Sequence, residues 1–217
     1  MIKSVIFTGG QMDSDSSFID SDEIKDSFVI CADSGYLYAQ KISVKPDIII
    51  GDYDSLGFIP EDINERLVYP QEKDDTDLML AVKEALNRGF KQIDIYGAFG
   101  GRFDHLYSNV QALAFIAEKQ AVGSLISEFE VVTLLNPGKY EFKYKEGFSF
   151  SLFSFSNEVK GLTINGVKYI TDNITLSNYF PLGISNIIIK EKADISFESG
   201  KLLVVQSKMI NNISENA

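Results

Sequence analysis

The stretch that decides the fold is Asp47-Ile-Ile-Ile-Gly-Asp-Tyr-Asp-Ser-Leu56. Three consecutive isoleucines are typical of a strand that is buried on both faces, as in a parallel sheet. The strand ends at Gly51, and Asp52 and Asp54 follow directly. Because open α/β sheets bind ligands just beyond the carboxyl ends of their strands, these two carboxylates stand where a site is expected. Aspartate is also common in exposed turns, so a solvated acidic turn is the alternative at this point.

Strands and helices alternate through the first part of the chain. Apolar runs at residues 3–7, 28–32, 47–50 and 91–96 predict strands, and each of them ends at a turn rich in glycine or aspartate. A further strand is expected at residues 67–69. The alternation predicts a Rossmann-like α/β domain with a mostly parallel sheet and helices on both faces.

The clearest helix follows the second acidic group of the chain, Asp74-Asp-Thr-Asp77. Leu78, Val82 and Ala85 recur at helical spacing. Asp75 or Thr76 is expected to cap the start of this helix, and Gly89 is expected to end it. Another apolar face at helical spacing begins at Leu106, so a second helix is predicted there.

The pattern changes after about Ser127. Many short apolar runs with few helix signals, among them residues 167–169 and 187–189, predict the strands of an all-β domain, a sandwich or a small barrel. Asn165-Gly166 between two such runs is a strong signal of a two-residue hairpin. We therefore expect an α/β catalytic domain at residues 1–124 and a β-sandwich at residues 128–217.

Composition limits the possible classes of function. The chain has 217 residues and a formal net charge of −11, which argues against broad nucleic-acid binding. Cys31 is the single cysteine, so an intrachain disulfide is impossible and a reducing, cytoplasmic setting is expected. We expect neither a signal peptide nor a membrane-spanning segment, since no apolar run is long enough to span a membrane.

Three groups of residues predict phosphoryl-transfer chemistry. Asp52 and Asp54 are expected to meet Asp77 in space and to hold Mg²⁺ on a phosphorylated ligand, since this ion prefers hard oxygen ligands. Asp77 also lies in the first turn of a helix, where a carboxylate is favoured for structural reasons alone. In Gly100-Gly-Arg-Phe-Asp-His105, the glycines let the backbone approach a phosphate and Arg102 offers a bidentate fork.

Several familiar sites are absent from the sequence. No Gly-x-x-x-x-Gly-Lys-Ser/Thr loop occurs, so a Walker-type nucleotide site is excluded. His105 is the only histidine, which argues against a multi-histidine metal site. We give His105 a structural role and no catalytic one.

The motifs together resemble those of the thiamine pyrophosphokinase family. The N-terminal ones are Asp33-Ser-Gly35, Gly51-Asp-Tyr-Asp-Ser55, Glu72-Lys-Asp-Asp-Thr-Asp77 and Gly100-Gly-Arg-Phe-Asp-His105. The C-terminal ones are Gly166-Val-Lys-Tyr169, Leu176 and Gly183-Ile-Ser-Asn186. The resemblance implies an α/β domain followed by a β-sandwich, and a homodimer with active sites at the subunit interface. It also implies transfer of pyrophosphate from ATP to the hydroxyl of thiamine, giving thiamine diphosphate and AMP, with Mg²⁺ as the metal.

The same resemblance implies roles for individual residues. The catalytic aspartates are Asp52, Asp54, Asp77 and Asp74, the first three of which are also the metal ligands. The nucleotide-binding residues are Asp33, Lys73, Gly100, Gly101, Arg102 and Asp104. The thiamine-binding residues are Tyr169, Ser185 and Asn186.

Three departures from the family pattern concern mainly the thiamine side. Asp33-Ser-Gly35 replaces Asp-Gly-Gly, Tyr169-Ile-Thr171 replaces aromatic-Pro-Leu, and the stretch Asn178-Tyr-Phe-Pro-Leu-Gly183 is divergent. Two interpretations of Tyr169 stay open. Its ring either stacks on the pyrimidine of thiamine, or packs in the sandwich core on the same face as Val167.

Two rival functions also stay open. A haloacid-dehalogenase-type phosphatase places Asp-x-Asp after a buried strand as well. A non-catalytic nucleotide-sensing protein is the other alternative.

Overall fold

The structure is a computed structural model, which describes residues 3–10, 18–19, 24–54, 56–58, 60, 63, 65–70, 72 and 74–209. The polar loop expected at residues 11–17, Ser55, Lys73 and the polar C-terminal residues 210–217 lie outside the described residues. The chain divides into two compact units, Met1–Glu128 and Phe129–Ala217. Within the described ranges, no helix is long and apolar enough to cross a membrane.

The first unit is built on strands that pair in parallel. The strands are β1 (Ser4–Phe7), β2 (Phe28–Ala32), β3 (Ile48–Gly51), β4 (Glu65–Val68), β5 (Gln92–Tyr96) and β6 (Val122–Ile126). Their order in the sheet is β6-β5-β1-β2-β3-β4, and every pairing described between them is parallel. From β1 to β4, each successive strand is added toward one edge of this sheet. From β5 to β6, the strands are added toward the opposite side. The point at which the order reverses therefore lies between β1 and β5, where α/β sheets place their ligands.

Helices connect several of these strands, and those that begin at Asp77 and Phe103 lie where the sequence predicts them. The connecting helices are α1 (Gly35–Lys41), α2 (Asp77–Asn87) and α3 (Phe103–Glu118). The Thr76 hydroxyl caps α2 by accepting a hydrogen bond from Met79 N at 3.2 Å. The predicted cap and helix are thus confirmed. Gly89, with φ of +88°, directly follows Arg88, the residue that caps the end of this helix.

The centre of the parallel sheet is buried. Ile48, Ile49 and Ile50 are each 0% exposed, as a strand covered on both faces requires. Phe7 stacks on Tyr38 and on Tyr96, with ring centroids 5.4 Å apart in each pair. This aromatic cluster supports the ends of β1 and β5, the two strands beside the point of reversal.

The second unit contains two antiparallel sheets. Its strands are β7 (Glu130–Leu135), β8 (Gly138–Lys143), β9 (Phe148–Ser154), β10 (Glu158–Asn165), β11 (Thr171–Ser177), β12 (Gly183–Asn186), β13 (Lys192–Phe197) and β14 (Leu202–Lys208). Strands β12, β9, β14 and β7 are neighbours in one sheet, and β11, β10, β13 and β8 in the other. Phe142 of β8 contacts Phe150 of β9, with ring centroids 5.3 Å apart, so the two sheets share apolar contacts.

Three sequence-based expectations about the strands were wrong. Strand β6 was not predicted, whereas strands expected at residues 167–169 and 187–189 are reduced to an isolated bridge between Val167 and Ile188. The hairpin after Asn165 does not have a two-residue loop. Strands β10 and β11 pair, with Ile164 opposite Thr171, and residues 166–170 form a longer connection between them.

Candidate functional site

The largest cavity described in the first unit lies at the carboxyl ends of its parallel strands. Its volume is about 900 Å³. Its walls come from the turns after β1, β2, β3 and β5 and from the starts of α2 and α3. The lining side chains include Asp33, Asp52, Asp75, Asp77, Arg102, His105, Ser108 and Asn109, with the backbone of Gly100 and Gly101 beside them. The polar lining at the point of strand reversal fits a charged ligand better than an apolar one.

Three carboxylates converge, and two of them, Asp33 and Asp52, line this cavity. Asp33, Asp52 and Asp54 each offer an oxygen within 4.8 Å of the others; the first two are half-buried and Asp54 is exposed. Three like charges at this separation repel one another, and a cation held between them removes the repulsion. An all-oxygen donor set suits Mg²⁺, so the residues present fit this ion.

The structure thus joins Asp33 to the predicted pair Asp52 and Asp54. The family resemblance implies a nucleotide contact for Asp33, and nothing in the sequence relates the turn after β2 to the turn after β3. Asp77, the third predicted ligand, lines the same cavity from the first turn of α2. It is not a member of the group of described carboxylates that approach within 4.8 Å.

Left-handed backbone shapes both acidic turns. Asp33 has φ of 46° and Tyr53 has φ of 62°, a conformation that costs free energy for residues other than glycine. The Tyr53 ring is 5% exposed, and its hydroxyl donates to Ile49 O at 3.3 Å. Burial raises the pKa of Tyr53; Arg66 acts in the opposite direction and Asp33 raises the pKa further. The buried ring anchors the turn, so that the side chains on either side of it project outward.

Asp74 and Asp75 of the second acidic group differ in their relation to the cavity. Asp75 lines the cavity and forms an ion pair with Lys83 at 2.6 Å. Asp74 is exposed and is not among the residues that line the cavity. Lys73, predicted beside it as a nucleotide-binding residue, lies outside the described residues.

The glycine-rich turn after β5 forms another wall of the cavity. Gly97 has φ of 72°, and a Cβ there would collide with Thr8 O on the neighbouring turn. Gly101 also has φ of 72°, but a Cβ there would meet nothing within 4 Å, so this backbone borders open space. Asn109 on α3 donates to Ala98 O at 2.8 Å and ties the turn to the helix. Asn109 gave no signal in the sequence, because its role depends on the fold of the turn.

The start of α3 presents both a cation and main-chain donors to the cavity. The helix begins after Arg102, which provides no side-chain cap, and helix N-termini of this kind attract anions. The Arg102 guanidinium donates to both carboxylate oxygens of Asp104, one of them at 3.1 Å. This pairing raises the pKa of Arg102 and lowers the pKa of Asp104. Because both groups are exposed, the pair contributes little stability, and a phosphate can replace Asp104 as the partner of Arg102 at small cost.

The residues predicted to bind thiamine lie in the second unit. Tyr169 and Asn186 line an apolar pocket of about 100 Å³. Tyr169 is 60% exposed, so its ring is not part of the core, whereas Val167 is 2% exposed. Ser185 is exposed and does not line this pocket. It has φ of 57° and lies at a break in the register between β12 and β9, an irregularity of the kind that often re-aims side chains near functional sites.

Comparison with known proteins gives a consistent result for both units. Residues 23–123 match the family model "Thiamin pyrophosphokinase, catalytic domain", and residues 139–202 match "Thiamin pyrophosphokinase, vitamin B1 binding domain". The chain is 32% identical over 187 residues to a thiamine pyrophosphokinase of Bacillus subtilis, covering 82% of this chain and 86% of that protein.

Solved structures give the same picture for the fold. A crystal structure of thiamine pyrophosphokinase from Bacillus subtilis superposes with a TM-score of 0.83 and 26% identity, covering 96% of this chain and all of the other. A thiamin pyrophosphokinase structure from Geobacillus thermodenitrificans has a TM-score of 0.81 and 28% identity, covering 97% and 99% of the two chains.

Proposed function

Because this chain belongs to the thiamin pyrophosphokinase family, we propose that it transfers a pyrophosphoryl group from ATP to the hydroxyl of thiamine, forming thiamine diphosphate and AMP. One observation carries the conclusion for the first unit. Asp33 and Asp52 line the same cavity as the glycine-rich turn and the start of α3, and Asp54 offers an oxygen within 4.8 Å of their carboxylate oxygens. Phosphoryl transfer requires this combination, namely positioned phosphates and neutralised charge.

Mg²⁺ is the metal that the acidic residues would hold. We assign Asp52 and Asp54 as its ligands, with Asp33 as an additional one. Asp77 faces the cavity from α2, and we propose that it binds a metal ion that arrives with ATP. When bound, the metal neutralises charge on the phosphate oxygens and makes phosphorus a better electrophile. The chain's own contribution is to hold Asp33, Asp52 and Asp77 around one cavity with Asp54 close to the first two, so that charged phosphates and cations enter it together.

ATP would bind along the glycine-rich turn. Gly100 and Gly101 allow the phosphates to approach the backbone, and the N–H groups at the start of α3 point toward them. Arg102 would exchange its partner Asp104 for a phosphate oxygen, which gives Asp104 the role of holding the guanidinium ready in the free enzyme. Asp74 and Lys73 remain proposed contacts beside the substrates.

Thiamine would bind on the second unit. The proposed contacts are Tyr169, Ser185 and Asn186, and the apolar pocket lined by Tyr169 and Asn186 supports this placement. That pocket falls inside residues 139–202, the segment that matches the vitamin B1 binding domain. For the architecture, we propose that the first unit is Rossmann-like and the second a β-sandwich. The parallel pairings of the first and the Phe142–Phe150 contact between the sheets of the second support this description.

We also propose that the active enzyme is a homodimer whose sites combine residues of both subunits. Support comes from a group of exposed apolar side chains in the second unit, each between 57% and 85% exposed: Tyr169, Ile170, Tyr179, Phe180, Leu182 and Ile184. Apolar groups concentrated in this way are typical of protein interfaces. A mixed dimer of an Asp54→Asn chain and an Asn186→Ala chain should then regain part of the activity that each variant lacks. Verified mixed dimers without any recovery would mean that each site is built within one chain.

A single incubation tests the function itself. The protein is mixed with ATP, Mg²⁺ and thiamine, and thiamine diphosphate and AMP are measured together. We expect equal amounts of the two products. Release of inorganic phosphate without thiamine diphosphate would favour the phosphatase alternative. Tight binding of ATP and thiamine without turnover would favour the nucleotide-sensing alternative. The comparisons support neither of these two functions.

A further inference from the structure

Ser34 adds a hydroxyl to the wall of the cavity in the first unit. The residue is half-buried and lines the cavity directly after Asp33, in the turn that follows β2. It stands at the start of α1, where serine commonly caps a helix, but its side chain makes no capping hydrogen bond and no other within the described residues. Its oxygen is not among the sealed polar atoms that lack a partner there, so solvent reaches it. The hydroxyl is therefore available to a ligand that enters the cavity.

The oxygen of Ser34 extends over the glycine turn that follows β1. A Cβ placed on Gly9 would lie 2.0 Å from Ser34 Oγ, so the hydroxyl occupies the space that a side chain at position 9 would need. A Cβ on the next residue, Gly10, would lie 2.1 Å from Gly97 O, on the turn that follows β5. Both of these glycines line the cavity. The turn after β1 thus forms a surface without side chains at these two positions, between the Ser34 hydroxyl and the glycine-rich turn.

The strand order places this hydroxyl between the two halves of the proposed site. The strands β5, β1, β2 and β3 are consecutive neighbours in the sheet, and adjacent strands lie about 5 Å apart. The turns at their carboxyl ends follow in the same order, from the glycine-rich turn after β5 to Asp52 after β3. A phosphate chain that reaches from the glycine-rich turn to a metal at Asp52 therefore crosses the turns after β1 and β2, and passes Ser34.

The acidic side chains beside Ser34 cannot supply a hydrogen-bond donor. Asp33 and Asp52 are carboxylates, which only accept hydrogen bonds when ionised and repel a phosphate unless a cation stands between them. A serine hydroxyl donates one hydrogen bond, and phosphate oxygens accept it. Ser34 thus complements Arg102 and the main-chain N–H groups, which donate from the opposite side of the cavity.

We propose that the Ser34 hydroxyl donates a hydrogen bond to an oxygen of the pyrophosphoryl group of ATP, and so is a further substrate-binding residue for the reaction. This inference rests on the function proposed above. The pyrophosphoryl group is selected, rather than the phosphate that remains on AMP, because Ser34 directly follows Asp33, where the carboxylates would hold the metal. The contact is a feature of this chain, since Asp33-Ser-Gly35 stands where the family pattern has Asp-Gly-Gly.

Calorimetric titration of the full chain without thiamine tests this contact with three probes. They are ATP with Mg²⁺, inorganic pyrophosphate with Mg²⁺, and AMP. We expect Ser34→Ala to weaken the binding of the first two about tenfold, the effect of one hydrogen bond to a charged group, and to leave AMP binding within about twofold. Ser34→Gly, which restores the family pattern, should behave in the same way. Ser199→Ala, at an exposed serine of the second unit, is the control and should change the binding of none of the three probes.

Melting temperature and kinetics separate this binding role from a structural one. Without ligand, Ser34→Ala should melt at the same temperature as wild type, because the hydroxyl makes no hydrogen bond within the described residues. KM for ATP should rise about tenfold, whereas KM for thiamine should not change. Unchanged affinity of Ser34→Ala for ATP with Mg²⁺ would overturn the inference, and so would equal weakening of AMP and pyrophosphate binding.

The wild-type protein distinguishes failure of this inference from failure of the proposed function. If wild type binds no ATP and forms no thiamine diphosphate, the proposed function fails. If wild type is active and Ser34→Ala keeps its affinity for ATP, only the role of Ser34 fails.

Discussion

The side-chain amide of Asn186 holds both main-chain polar groups of Tyr169. Asn186 Oδ1 accepts from Tyr169 N at 3.0 Å, and Asn186 Nδ2 donates to Tyr169 O at 2.9 Å. The same oxygen accepts from Ile187 N at 2.9 Å, so both of its lone pairs are used. Asn186 is 8% exposed and Tyr169 is 60% exposed. A buried amide thus fixes the backbone of a residue whose ring faces solvent, and we infer that Asn186 acts on thiamine chiefly by positioning Tyr169.

The first prediction tests this positioning role. Asn186→Ala leaves the main-chain groups of Tyr169 and Ile187 without these bonds, which should cost about 1–3 kcal/mol of stability. KM for thiamine should rise by more than kcat falls, because the ring of Tyr169 loses its fixed position. Asn157→Ala, at an exposed asparagine of the same unit, is the matched control and should change neither KM for thiamine nor kcat. An Asn186→Ala protein that loses stability but keeps its KM for thiamine would restrict Asn186 to a structural role.

The second prediction separates Asp33 from Asp77. Asp33 belongs to the group of three carboxylates, whereas Asp77 faces the cavity from α2. Without ATP, Asp33→Asn should weaken the binding of Mn²⁺, used as a probe for Mg²⁺, by about tenfold or more, and Asp77→Asn should leave it unchanged. With ATP, both variants should lose about 100-fold or more in kcat, since each removes charge that holds the metal.

Calorimetric titration with Mn²⁺ measures the binding part of this prediction. Asp194→Asn, at an exposed aspartate of the second unit, is the control for loss of one negative charge. Asp33→Asn should not lower the melting temperature in metal-free buffer, because it relieves repulsion among the three carboxylates. Equal loss of metal binding in Asp33→Asn and Asp77→Asn would show that both bind the same ion in the free enzyme.

The third prediction concerns Tyr53, whose buried ring lies between Asp52 and Asp54 in the turn after β3. Tyr53→Phe removes only the hydrogen bond to Ile49 O and should cost about 1 kcal/mol or less. Tyr53→Gly relieves the left-handed backbone but loses the buried ring, for a net cost of about 2–4 kcal/mol. Its affinity for Mn²⁺ should fall as well, although both carboxylates are still present. Unchanged affinity in a folded Tyr53→Gly protein would mean that the turn keeps its shape without the ring.

Particular residues show where sequence reasoning was sufficient. The three isoleucines of β3 and the cap and apolar face of α2 are local signals, and the structure has the strand and the helix where these signals predict them. Strand β6 was missed because Val-Gly-Ser-Leu-Ile resembles a linker. The glycine there lets α3 pack closely on the strand, since a Cβ at Gly123 would lie 2.7 Å from Ile116 Cδ1 and 2.9 Å from Leu113 Cδ2 and these side chains would have to move. That reason is visible only once α3 lies on the sheet.

The site shows the same division between local and long-range information. Asp52 and Asp54 could be selected because they follow a recognisable strand. Asp33 joins them only through the pairing of β2 with β3 and a left-handed backbone, neither of which a single sequence displays. The loop after Asn165 was predicted too short for a related reason. Asn-Gly favours a two-residue turn locally, but Asn186 binds the backbone of that loop from 17 residues further along the chain.

The last prediction concerns the ring of Tyr169. The ring is 60% exposed at the mouth of the apolar pocket, and the Lys168 ammonium lies 5.3 Å from its centroid. Because little of the ring is buried, Tyr169→Ala should change the melting temperature only slightly. It should weaken thiamine binding about tenfold, since stacking on an aromatic ring contributes about 0.5–1.5 kcal/mol beyond the area that it covers. ATP binding should not change.

Two comparisons make the result for Tyr169 decisive. Tyr169→Trp should bind thiamine at least as well as wild type, because the larger ring offers more surface and its position is exposed. Tyr179→Ala, at a tyrosine that is 85% exposed in the same unit, controls for the general loss of an exposed aromatic side chain. Thiamine binding that is weakened equally by Tyr169→Ala and Tyr179→Ala would assign the effect to the apolar surface as a whole. Weakened binding in Tyr169→Ala alone, with normal binding in Tyr169→Trp, requires a ring at position 169 that contacts the substrate.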